Sequence, residues 1–128
     1  MSWQVDATSQ PGVLRIRMQG RLHVADIQAF VAAHNAAIDA FAGADYRVYV
    51  DLRGLSPLSP EVAAGFEDAK RYSNAQPNFR GSAVLVESKV IALQHERTSV
   101  TSGVMSTELI TDDEVAAAAH LRTVHRRV

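Results

Sequence analysis

Val48-Tyr49-Val50-Asp51-Leu52-Arg53-Gly54-Leu55-Ser56-Pro57-Leu58-Ser59-Pro60-Glu61-Val62-Ala63-Ala64-Gly65-Phe66 carries a strand, a loop and a helix start in one stretch. From Tyr46 to Leu52 the chain is apolar and β-branched enough for a central strand. Arg53 to Leu58, with Gly54 and Pro57, reads as a loop. Ser59 offers a side-chain oxygen as an N-cap. Pro60 suits the first helical position, where its missing N–H would have no partner, and Glu61 faces the positive end of the helix dipole. Val62, Phe66 and Ala69 then recur at helical spacing, and the stripe ends before Asn74-Ala75-Gln76-Pro77. A strand feeding a capped helix is half of a βαβ unit, so a parallel strand should follow.

Gly81 to Val86 supplies that strand. Ser88 caps a third helix running through Val90, Leu93, Arg97 and Val100 towards Gly103, and Ser106 to Ile110 is a weaker final strand. Thr111 with Glu114 three residues on forms a capping box for a last helix. Asp112 and Asp113 lie in its first turn and Ala117, Leu121 and Val124 on its apolar stripe. Arg122, His125, Arg126 and Arg127 sit near its C-terminus, where cations offset the dipole. Upstream, Ile27, Phe30, Val31, Ile38 and Phe41 mark one face of a helix from Val24 to about Ala42, with Asp26 in its first turn and Gly43 as C-cap. Before it, Trp3 to Ala7 and Val13 to Met18 alternate apolar and polar residues around Ser9-Gln10-Pro11-Gly12, an antiparallel hairpin. The order ββαβαβαβα predicts an α/β fold with a mixed, mostly parallel sheet of four to five strands and about four helices. Val48, Val50, Val84 and Val86 are expected in its buried central strands. Trp3 has two readings: it covers the chain's own core, or it docks a second copy in a homodimer.

The 128 residues are 47% apolar and 21% charged, the size and balance of one domain spanning 1–128. Thirteen basic against fourteen acidic residues leave a net charge of −1, which argues against sequence-independent nucleic-acid binding. There is no cysteine, so disulfides, thiol nucleophiles and Cys-ligated metals are excluded. No apolar run approaches the ~20 residues of a membrane span, and the start MSWQVDATSQ has no basic and apolar leader pattern, so the expected location is the cytoplasm.

Catalytic patterns are missing from the sequence. His34, four residues from both Phe30 and Ile38, reads as a packed histidine rather than a ligand. His95-Glu96-Arg97-Thr98-Ser99 lacks the second histidine of a zinc-protease helix, and His120 and His125 are not on one helical face. No Gly-x-Ser-x-Gly elbow and no glycine-rich phosphate loop is present. The expectation is therefore a chain with no catalytic activity, no metal and no cofactor. What remains is the loop after the central strand, at the carboxyl edge where open α/β sheets bind ligands and partners.

Three short motifs extend this reading. Met18-Gln19-Gly20-Arg21-Leu22 closes a strand pair before the first helix, and Asp51-Leu52-Arg53-Gly54 ends the next strand. Ala83-Val84-Leu85-Val86 and the segment from Thr111 complete the pattern. With them the whole chain resembles the STAS domain and its SpoIIAA-like relatives, the anti-sigma-factor-antagonist fold that extends to lipid-binding SEC14-type proteins. In phospho-regulated members the loop continues to an Asp-Ser pair at the helix start, and an anti-sigma kinase phosphorylates the serine. Carried over without gaps, the aspartate position falls on Ser59 and the acceptor position on Pro60, which has no hydroxyl; Ser56 and Ser59 lie nearby but outside the motif.

The resemblance thus implies a non-catalytic, regulatory protein-interaction domain of a bacterial-type signalling system, without the serine phospho-switch. Its partner would be another protein, a regulator or a kinase-like protein. The expected partner-binding loop is Arg53, Leu55, Ser56, Leu58, Ser59, Pro60 and Glu61, with Arg53 as a charged anchor. The SEC14-like side of the resemblance implies an alternative, a binding or carrier module for a small apolar or acyl ligand.

Overall fold

In the computed structural model, which describes residues 2–125, β1 (Trp3–Asp6) and β2 (Val13–Met18) form the antiparallel hairpin. The alternation places Leu14, Ile16 and Met18 in the core. Then follow α1 (Val24–Asp39), β3 (Tyr46–Asp51), α2 (Pro60–Ala75), β4 (Phe79–Leu85), α3 (Lys89–Ser102), a single 3-10 turn at Met105–Thr107, β5 (Glu108–Thr111) and α4 (Glu114–Thr123). The five strands lie in the order β1-β2-β3-β4-β5, with β2 to β5 parallel. This is the α/β architecture with a mostly parallel sheet and four helices that the element order predicts.

Each parallel pair is sequential and joined by one helix, so crossovers of one hand stack α1, α2 and α3 on a single face of the sheet. The main core lies there and includes Ile16, Phe30, Leu52, Phe66 and Val84. Gly65 lets α1 and α2 touch: a Cβ on it would come within 2.3 Å of Ile27 Cγ1. On the opposite face, among the described residues, α4 packs against β3, β4 and β5, over a small core of Val13, Tyr49, Ala83, Ala117 and Leu121. Further along β2, Arg15 and Arg17 are exposed.

Several expectations need correction. Helix α1 ends at Asp39 with Ala40 as C-cap, not near Gly43, because the chain tightens into i→i+3 bonds (Phe41 N to Ile38 O, Ala42 N to Asp39 O). That release lets the Phe41 ring stack on Tyr46 at 5.0 Å. Helix α2 runs on through Asn74 and Ala75, and β4 begins at Phe79 rather than Gly81. The last strand starts at Glu108, since Met105–Thr107 coils into the 3-10 turn. The α4 cap is Asp113, whose carboxylate accepts from the Val115 and Ala116 N–H groups at 2.9 and 3.2 Å; Thr111 supports it by accepting from the Asp113 N–H. Val48, Val84 and Val86 are buried, but Val50 is half-buried.

The largest departure is in α3. Val90, Leu93 and Val100 face solvent at 52, 57 and 59% exposure, while His95, Thr98, Ser99 and Ser102 face inward with Ile91. Beneath them, the Lys70 ammonium donates to the His95 carbonyl (3.1 Å), Ser99 Oγ (2.7 Å) and the Glu108 carboxylate (3.2 Å). Glu108 also accepts from the hydroxyls of Ser82 and Ser99. The hydroxyls of Thr98, Ser99 and Ser102 are buried because each has a hydrogen-bond partner, whereas the His95 ring packs edge-on against Phe66.

Candidate functional site

The backbone of the loop between β3 and α2 is held by hydrogen bonds to three separate segments, one through backbone and two through side chains. Gly20 N donates to Gly54 O and Ser56 N to Gly20 O, both at 2.8 Å, so Gly20 pairs with Leu55 as a short parallel bridge. Gly54, at φ +85°, turns the chain in a conformation glycine adopts without strain, and its N–H donates to the Glu87 carboxylate at 2.5 Å. Gln94 of α3 clasps Leu58 from both sides: its Oε1 accepts from Leu58 N at 2.9 Å and its Nε2 donates to Leu58 O at 3.0 Å. Ser59 caps α2, with its hydroxyl accepting from Val62 N at 3.2 Å. Pro60 occupies the first helical position.

The expected site residues divide into two sets. Ser56, Ser59, Pro60 and Glu61 are exposed together with Pro57 on the outer surface of this loop. Leu55 and Leu58 are buried and anchor it to the core instead of facing a partner. Beyond Ser59 a groove of about 330 Å³ runs between α2 and α3, past Ala63 and Ala64 towards Arg97 and Thr101. The solvent-facing stripe Val90, Leu93 and Val100 lies on the same α3.

Arg53 points elsewhere. Its Nε and NH2 groups donate to both oxygens of Asp51 at 3.1 and 2.9 Å, and it approaches Glu114 of α4 at 3.7 Å. Arg17 donates to the same Asp51 at 2.5 Å. Burial raises the Asp51 carboxyl, but the Arg53 and Arg17 guanidinium groups outweigh it and hold the carboxyl below its usual range. Asp51 is thus the polar pin at the end of β3, and Arg53 braces the β3 end rather than the exposed loop. Glu87 and Gln94, which fix the loop, are not flagged by any local sequence pattern, because they act across 33 and 36 residues of chain.

Arg122 and His125 are exposed at the end of α4, while Arg126 and Arg127 of the same basic cluster lie outside the described residues. Trp3 meets Phe30 edge-on at 6.0 Å, so it covers the chain's own core. Among the described residues no helix is long and apolar enough to cross a membrane.

A mostly parallel sheet with three helices on one face, and a rigid loop after an Asp-Leu-x-Gly strand end, defines a STAS-type domain. The SpoIIAA-like family model matches residues 13–122, and the chain belongs to that family. A solved structure with the same fold is an anti-sigma factor antagonist from Mycobacterium paratuberculosis. It is 15% identical to this chain, with a TM-score of 0.63 over 94% of this chain and 95% of that one. Comparison with curated proteins gives no match.

Proposed function

We propose that this SpoIIAA-like domain is a non-catalytic regulatory module of a bacterial-type signalling system, working in the cytoplasm by binding another protein. The observation that carries this reading is the loop from Leu55 to Glu61: its backbone is fixed from three sides while Ser56, Pro57, Ser59, Pro60 and Glu61 are presented outward. A preorganised loop loses little conformational freedom on binding, and the exposed valines and leucine of α3 extend the apolar area beside it. The partner is a regulator or a kinase-like protein; β1, the antiparallel one of the two edge strands, is where a second copy would pair. The carrier reading takes no support from the interior. The cavity between the sheet and its three helices is about 40 Å³, against roughly 300 Å³ or more for a small-molecule site.

Position 59 separates the loop's structural role from its contact role. Ser59→Ala should cost about 0.5–2 kcal/mol in urea denaturation, since one helix N–H loses its partner. Ser59→Asp should keep the melting temperature, because aspartate caps as well as serine. In pull-downs analysed by mass spectrometry, Ser59→Asp should hold the captured partner about tenfold more weakly, as a new charge must be desolvated at the contact. Equal capture by wild type and Ser59→Asp would remove the loop from the interface.

The loop also makes a prediction about phosphorylation. An anti-sigma-type kinase with ATP should leave the intact mass of the protein unchanged. Pro60 has no hydroxyl, and the Ser59 hydroxyl is engaged with the Val62 N–H. Stoichiometric phosphate on Ser59 or Ser56 would refute this.

A further inference from the structure

The sheet's second face is not neutral beside α4. Beside α4 lies a hollow of about 430 Å³ whose floor and wall include Arg15 of β2, Arg47 of β3 and Arg122 of α4. The register pairs Val13 with Arg47 and Arg15 with Tyr49, so Arg15 and Arg47 leave the same face of adjacent strands as diagonal neighbours.

Four arginines of the described residues are paired with carboxylates. Arg17 and Arg53 bind Asp51, Arg71 binds Glu67 and Asp68, and Arg80 binds Asp45. Five arginines have no carboxylate of a described residue within 4 Å: Arg15, Arg21, Arg47, Arg97 and Arg122. Three of these five line this one hollow. Two of the three are held in place by neutral partners. Arg15 donates to the Gln10 side-chain carbonyl at 3.0 Å and lies 4.7 Å over the Tyr49 ring, and Arg47 Nε donates to Val124 O at 3.0 Å. Neutral anchors fix a guanidinium but leave its charge and most of its five N–H donors unused. Two carboxylates also line the hollow: Asp45, paired with Arg80 at 2.9 Å, and Glu114, which Arg53 approaches at 3.7 Å.

We propose that this hollow binds a phosphate monoester. Three arginines, from the floor and the α4 wall, line one volume, and a tetrahedral dianion with three terminal oxygens can engage more than one guanidinium. A single carboxylate is fully served by one planar fork. The phosphate is carried by a small molecule or by a phosphorylated side chain of a partner; the chemistry recognised is the same.

The test is a backbone-amide NMR titration at constant ionic strength with inorganic phosphate, phosphoserine and a short phosphoserine peptide. Phosphoserine should give saturable shifts centred on Arg15, Arg47, Tyr49 and the C-terminal half of α4, with a Kd of about 1 mM or tighter. Arg15→Gln and Arg122→Gln should each weaken it about tenfold, the loss of one charge-assisted hydrogen-bonding group. Arg97→Gln, which removes an unpaired arginine outside the hollow, should leave it unchanged. Arg122 is an exposed residue, so its variant tests the site even where Arg15→Gln disturbs the sheet. Tighter binding of the peptide than of phosphoserine supports a phosphorylated partner, and equal binding supports a small molecule; both uphold the site. Shifts that do not saturate, or an equal loss in Arg97→Gln, would overturn it as non-specific charge attraction.

Discussion

Replacing Glu108 by alanine should cost the domain about 3–5 kcal/mol, because it leaves a buried ammonium without its counter-charge. The side chains of Lys70 and Glu108 are only 12% and 3% exposed, so water cannot take over the lost interaction. Burial pushes the Lys70 pKa down, and Glu108 pulls against that shift. Ser82 and Ser99 would also lose their shared acceptor. The double variant Lys70→Met/Glu108→Leu should regain most of the loss, since a buried pair exchanged for apolar side chains of similar size is often near neutral. Urea denaturation of the three proteins measures both effects. A Glu108→Ala cost below about 1 kcal/mol would show that the pair is not closed in solution.

The same interior should make the fold sensitive to mild acid. Neither ring nitrogen of His95 has a hydrogen-bond partner among the described residues, and its ring sits edge-on to Phe66 at 4.7 Å. Burial, and secondarily the nearby Lys70 charge, hold its pKa well below the ordinary 6.5; burial also lowers that of His34, partly offset by its bond to Asn35. The unfolded chain takes up protons at these histidines near pH 6.5 and the folded chain does not. Stability contributed by the neutral rings is therefore full above that value and is lost as pH falls below it. The melting temperature should drop between pH 7 and pH 5, before most carboxylates titrate. His95→Leu should remove most of the drop, leaving the smaller part that belongs to His34. A flat wild-type profile over this range would sink the assignment.

These interior groups also show where the sequence is readable and where it is not. The hairpin, the strand from Tyr46, the Ser59-Pro60-Glu61 helix start and the Ser88 cap are local features. The two caps are set by neighbours within three residues, the hairpin by strands close in sequence, and each appears in the structure. The inward face of α3 is not local. Ser99 is buried because Lys70 and Glu108 meet it from other elements, and the His95 ring because it packs on Phe66 of α2; the spacing of Val90, Leu93 and Val100 carries no trace of either. Asp113 caps α4 in place of Thr111 because Thr111 is still part of β5, paired with Leu85, and the helix begins at Glu114. For the candidate loop, the sequence shows the cap and the Gly54 turn. It does not show that Leu55 and Leu58 point inward, or that Gln94 and Glu87 hold the loop down.

The sequential strand order has a consequence for how the chain assembles. Every strand pairs with the one before it, so each βα unit can dock onto a sheet edge already formed as the chain lengthens, with short loop closures throughout. Glu108, however, lies on the last strand to join, while Lys70 lies on α2, with β4 and α3 between them in the chain. An assembly halted before β5 would carry the Lys70 ammonium in a half-built interior with no carboxylate to meet it. Partial folds are penalised until the final strand seats, and a topology suited to stepwise growth gains a single all-or-none closing event.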